Sequence, residues 1–201
     1  MKKIMFNAAL LAGVLFMATS CNDGRTAKSE DSKDVAQEEN KDKFGGTDEK
    51  KDAEFAVKAA EGGMLEVKLG ELAQQKGVSS EVKELGKMLV QDHSKANEEL
   101  KALAQQKNIS LPMTMSDDCQ KKYDDLAEKS GKDFDEAFTE HMVKDHKDDI
   151  DAFKKEAEKG EDPDIKTWAA GKVSTLEHHL TMAKTAEKAV DDQKKSTGKL
   201  D

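Results

Sequence analysis

The sequence predicts an all-α protein: a four-helix bundle with an extra short helix between its two hairpins. Three observations carry that reading. Apolar residues recur at steps of three and four through four long segments. The 201 residues are 37% charged and 36% hydrophobic, with only two prolines, which suits one helical core and leaves little for a second. Each long segment also carries a ligand-capable polar residue on or beside its apolar stripe, namely Glu66, His93, His146 and His179.

Residues 1–20 have the form of an export signal. Lys2 and Lys3 form a basic start, and Ile4 to Phe16 supply an apolar run too short for an ordinary bilayer span. Ala18-Thr-Ser-Cys21 resembles the lipobox of bacterial lipoproteins, with Ala18 where leucine is usual. The resemblance implies cleavage before Cys21 and lipid modification of that residue. The chain would then be held to an envelope membrane, the outer membrane, facing the periplasm or the cell surface. A plain secretory signal with a chance cysteine is the alternative.

Residues 21–51 are expected to be a disordered acylated tether. Val35 and Phe44 are nearly its only sizeable apolar residues, too few to offset ordering entropy. Fully extended, it would reach on the order of 100 Å.

The bundle domain is expected over 52–190, followed by a charged tail over 191–201. Helix one runs from about Asp52 to Lys76 on a stripe of Phe55, Ala59, Gly62, Glu66, Leu69 and Ala73. Gly62-Gly63 costs roughly 1 kcal/mol per glycine in mid-helix, which predicts either a kink or a close helix neighbour. Glu66 at a core position demands a partner, a metal or a proton. Ser79 or Ser80 caps helix two, which extends to about Lys107 with Leu85, Leu89, Asp92, Ala96, Leu100 and Leu103 on its stripe. Asp92 and His93 lie 100° apart on that helix, so they face different neighbours.

After a loop at Asn108 to Ser116, a short helix to about Lys129 carries Cys119, Tyr123 and Leu126. The third long helix spans about Lys132 to Lys159. Phe134, Phe138, Met142, Asp145 and Asp149 form one line on it, and Met142, His146, Ile150, Phe153 and Ala157 another. Asp162-Pro163 opens the fourth with an N-cap and a proline at its first position. Its stripe is Ile165, Ala169, Val173, Leu176, Leu180 and Ala183, with His179 adjoining.

Formal net charge is −9, and the only arginine is Arg25. A domain without the guanidinium fork is poorly equipped for bidentate phosphate or guanine contacts, so nucleic acid is not an expected partner. No His-Glu-x-x-His, Gly-x-Ser-x-Gly or phosphate-binding glycine loop occurs. Any protein partner stays unspecified.

Glu66, His93, His146 and His179 come from four different helices, which is how bundle cores build metal sites. Imidazole with carboxylate suits zinc, iron, copper or nickel, and the sequence does not choose among them. Asp92 and Asp145 are candidates to orient histidines of neighbouring helices, or to ligate directly. The bland alternative is a buried hydrogen-bonded network without metal. His141 and His178 are read as exposed or stem residues, and Cys119 as a bystander.

Four blocks carry a family resemblance: Glu61-Gly-Gly-Met-Leu-Glu66-Val-Lys-Leu-Gly70 after Phe55, Met88-Leu-Val-Gln-Asp-His-Ser-Lys-Ala-Asn97, Phe134-Asp-Glu-Ala-Phe138 with Met142-Val-Lys-Asp-His146, and Leu176-Glu-His-His-Leu180. Together, over about Asp52 to Val190, they resemble domain-of-unknown-function family 4142, bacterial envelope proteins with a ferritin-like bundle. The resemblance implies the ferritin-like fold and an envelope location, and brings no reaction. Di-iron ferritins use Glu-x-x-His. The residues three before the five histidines here are Val90, Phe138, Val143, Thr175 and Leu176, so a ferritin-type di-iron site is not expected. The leading expectation is a single metal ion held by Glu66, His93, His146 and His179, serving metal handling or envelope stress. The second is a non-catalytic envelope interaction module whose polar core holds no metal.

Overall fold

In the computed structural model of the chain, residues 31–197 are described. The signal segment and Cys21 lie outside them. Six helices make up the described part: α1 (Ser32–Phe44), α2 (Lys50–Lys76), α3 (Ser80–Gln106), α4 (Asp117–Ala127), α5 (Gly131–Lys159) and α6 (Pro163–Thr197). None of them is long and apolar enough to cross a membrane.

Helix ends follow local chemistry. Ser79 Oγ accepts from the Val82 N–H at 3.2 Å, Ser116 Oγ from Cys119 at 3.2 Å, and Asp162 Oδ1 from Asp164 and Ile165 at 2.9 and 3.1 Å. α3 stops where Asn108 takes a left-handed conformation, φ 57°.

Four helices, α2, α3, α5 and α6, form the bundle, and the apolar clusters fix their directions. One core region takes Leu65, Leu69 and Leu72 from the C-terminal half of α2, Val82 to Leu89 from the start of α3, Phe134 to Val143 from the start of α5, and Ala183 to Val190 from α6. The other end takes Ala53 to Ala60, Leu100 and Ala104, Ile150 and Phe153, and Ile165 to Leu176. So α3 and α5 run the same way, antiparallel to α2 and α6. α4 carries the chain back between them, packing Cys119 and Leu126 into the first region. This is the all-α, ferritin-like bundle with one crossover.

Between the two apolar regions every bundle helix carries a buried polar residue: Glu66, His93, His146 and His179. They form a single polar layer halfway along the bundle.

α2 and α3 approach closely at a glycine pair. A Cβ on Gly70 would lie 2.6 Å from the Gly86 carbonyl oxygen, and one on Gly86 would lie 2.7 Å from that of Gly70. Of the kink or close neighbour expected at Gly62-Gly63, the close neighbour occurs, at Gly63, where a Cβ would overlap the Asn97 side chain of α3, while α2 continues through both glycines. Gly62 has open space beside it.

Two segment assignments need correction. The expected tether over 21–51 includes α1, which docks on the bundle through Phe44, packed against an apolar cluster, and through a set of polar contacts. Asn40 Nδ2 donates to Ser110 O at 2.8 Å and Oδ1 accepts from the Ser110 N–H at 2.7 Å. Lys33 Nζ meets Glu61 at 2.8 Å, and Asp31 caps both α1 and α4 through the Lys33 and Asp117 N–H groups. A count of apolar residues cannot see such a helix. The expected charged tail is helical as far as Thr197, with Lys194 paired to Glu136 of α5 at 2.7 Å.

Candidate metal centre

The polar layer brings three histidines together. His93 (α3), His146 (α5) and His179 (α6) have ring centroids 5.2 to 5.9 Å apart and are all buried. One nitrogen of each lies within 4.8 Å of the others.

The two nitrogens of each ring are in different situations. His146 Nδ1 is 3.0 Å from the Met142 carbonyl oxygen, one turn back on its own helix. His179 Nε2 is 2.9 Å from Asp92 Oδ2 of α3. His93 Nδ1 lies 3.0 Å from Glu66 Oε2. The remaining nitrogens are His93 Nε2, which is buried with no hydrogen-bond partner, and His146 Nε2 and His179 Nδ1, 3.3 Å from each other. For His146 and His179, one nitrogen held by a neighbour and the other left facing its companion is the arrangement in which that neighbour fixes ring orientation for a metal.

Electrostatics keep the rings neutral. Burial pushes His93 and His179 down to about 4, against the opposing charge of Asp92, and lowers His146 despite Glu66. Metal-binding imidazole must be unprotonated, so these rings are in the right state at neutral pH.

Glu66 lies beside the histidines, as expected, and faces a second group of donors as well. Its oxygens lie 3.0 and 3.5 Å from Nδ1 of His93 and His146, and the alignment makes a hydrogen bond to neither. It also groups with Asp145 and Asp149 of α5, one oxygen of each within 4.8 Å of the others. Burial raises the Glu66 carboxyl to about 7. Burial and the charges of Glu66 and Asp145 raise Asp149 to about 9.

Asp92 does orient a histidine of a neighbouring helix. Asp145 does not: the imidazole near it is His141 of its own helix, 4.0 Å away. His178 is exposed and His141 half-buried. Cys119 is buried, and burial pushes its thiol up to about 11, an inert state. Asp149 is the residue that sequence reasoning passed over; its position one turn after Asp145 on the same line was the available signal.

A cavity of about 130 Å³ leads to the layer. Glu66, Asp149, His93 and His179 line it, and Gly62 and Gly63 form part of its α2 wall.

Residues 37–186 match the family model described as Domain of unknown function (DUF4142). The chain belongs to the DUF4142 family. No curated protein matches it. Among solved structures, the DUF4142 chain is similar to "CopM in the Cu(I)-bound form", at 19% identity and a TM-score of 0.58, over 69% of this chain and 96% of that one. At that identity the likeness is one of fold.

Proposed function

We propose that this DUF4142 domain handles metal by binding one copper(I) ion at His93, His146 and His179. The carrying observation is three buried, neutral imidazoles from three helices, with one nitrogen of each within 4.8 Å of the others. His146 Nε2 and His179 Nδ1 are 3.3 Å apart, and His93 Nε2 is buried without a hydrogen-bond partner. Three uncharged imidazoles without a carboxylate among them suit a monovalent ion, whose burial costs less than that of a divalent one. The Cu(I)-bound state of a protein with a similar fold supports the choice among zinc, iron, copper and nickel. The setting we propose is the bacterial envelope, with Cys21 lipid-modified and the membrane as the anchoring partner.

The domain's own residues position the rings. Asp92 and the Met142 carbonyl hold His179 and His146, Glu66 stands behind His93, and the cavity gives entry. Anaerobic titration of the metal-free chain against a chromogenic Cu(I) chelator tests this. One equivalent of copper should leave the chelator, and His93→Ala, His146→Ala and His179→Ala should each abolish that transfer while the helical circular dichroism stays intact. Wild-type protein that never competes for copper would sink the reading and return the layer to a metal-free polar network.

A further inference from the structure

The geometry points to a second cation site beside the histidines, formed by the carboxylates of Glu66, Asp145 and Asp149 and suited to a hard divalent ion such as Mn2+. It adjoins the copper site of the preceding proposal, with Glu66 beside His93 and His146, but shares no ligand with it and does not depend on it.

Asp145 and Asp149 stand one turn apart on α5, so their carboxylates share a face. Glu66 reaches the same point from α2, and one oxygen from each of the three falls within 4.8 Å of the others. Clustered acids alone are common, and what separates this group is Glu66. Its side chain is 1% exposed, and neither oxygen receives a hydrogen bond. A carboxylate so enclosed needs a positive or proton-donating partner. Among the described residues no lysine forms an ion pair with Glu66, Asp145 or Asp149.

A divalent cation would supply the charge these groups lack and fill the acceptor positions of Glu66. The donors are all carboxylate oxygens, the preference of hard ions, whereas the neighbouring imidazole nitrogens favour softer ones. Access exists, because Glu66 and Asp149 both line the cavity. Glu66 thus stands between the two sets of donors, with its oxygens 3.0 and 3.5 Å from the outer nitrogens of His93 and His146.

Mn2+ binding to the metal-depleted full chain, followed by loss of the free-ion electron paramagnetic resonance signal, tests the site. Wild type and His179→Ala should both bind about one equivalent. Asp145→Asn and Asp149→Asn should each weaken binding at least tenfold, with Cu(I) transfer from the chelator unchanged. Three results would overturn the proposal: no Mn2+ bound by wild type at millimolar concentration, equal binding by wild type and both Asp→Asn variants, or loss in His179→Ala as large as in Asp149→Asn. The last would mean one mixed site. Circular dichroism of each variant separates lost binding from lost fold.

Discussion

Asp52 and Asp135 each cap the turn of the hairpin to which they do not belong. Asp52 on α2 accepts from the N–H groups of Glu161 and Asp162 between α5 and α6, and Asp135 on α5 accepts from Val78 and Ser79 between α2 and α3. The spacing between the two aspartates is the spacing between Gly77 and Gly160, which end α2 and α5, and between Ser79 and Asp162, which cap α3 and α6. It also relates Glu66 to Asp149. The hairpins therefore repeat one plan about a pseudo-twofold axis, with a carboxylate of the polar layer at matched positions.

Asp52→Ala and Asp135→Ala should each destabilise the protein by roughly 1–3 kcal/mol, because each strands two turn N–H groups at a buried or half-buried site. The sites lie at opposite ends of the bundle, so the double variant should show the sum to within about 0.5 kcal/mol. Urea unfolding of the four proteins checks this.

Asp92→Asn should keep the fold and the copper stoichiometry but lower Cu(I) affinity about 10- to 100-fold. It replaces a charged acceptor at His179 Nε2 by a neutral one. Competition with chelators of graded affinity would measure the change.

Asp149 should withdraw stability from the metal-free protein as pH rises from the ordinary carboxylate pKa to about 9, and above pH 7 this decline is no longer opposed by the histidines. Asp149 has a folded pKa raised to about 9, so its proton is bound more tightly in the folded state. Its contribution is complete below the ordinary carboxylate pKa and disappears as pH rises through 9. The slope for one proton cannot exceed about 1.4 kcal/mol per pH unit. Asp149→Asn should flatten this alkaline decline. Between about pH 4 and 6.5 the sign reverses for His93 and His179: their folded pKa values, near 4, lie below the unfolded value, so stability from them is lost as pH falls through that window. Below pH 6.5 Glu66 and Asp149 oppose the histidines, so denaturant midpoints of wild type and Asp149→Asn compared across pH 4 to 9 would separate the two contributions.

Two glycine substitutions about two helix turns apart should act oppositely. Gly62→Ala meets nothing within 4 Å and should stabilise α2 by about 1 kcal/mol. Gly70→Ala would drive a methyl group to 2.6 Å from the Gly86 carbonyl oxygen and should destabilise. Thermal melts of the two variants give the comparison.

The bundle was legible because its information is local. Stripes at three- and four-residue steps, Ser79, Ser116 and Asp162 as caps, and Gly160 as a stop all sit where periodicity and capping chemistry place them. The convergence of His93, His146 and His179 followed from one polar residue per stripe. What periodicity cannot carry is pairing across helices. The Asp-His echo at Asp92-His93 and Asp145-His146 suggested equivalent roles, yet the pairs lie on α3 and α5, which are not matched helices in the repeat. Only Asp92 holds a histidine of another helix. Glu66 and Asp149, the matched pair, differ in residue type and share no motif. α1 escaped because it has few apolar residues, Phe44 and Ala36 among them, and is otherwise attached by polar contacts with distant sequence, Asn40 to Ser110 and Lys33 to Glu61.

Docking of α1 changes how far the bundle can stray from an anchor at Cys21. Only ten residues separate that cysteine from Ser32, a span of at most about 35 Å. The starting end of α1 is pinned beside the α3–α4 loop, where Ser32 Oγ accepts the Met113 N–H at 2.7 Å and the Met113 side chain is 88% exposed. Were Cys21 acylated, that span would be the greatest distance from the lipid surface at which this end of the bundle could lie.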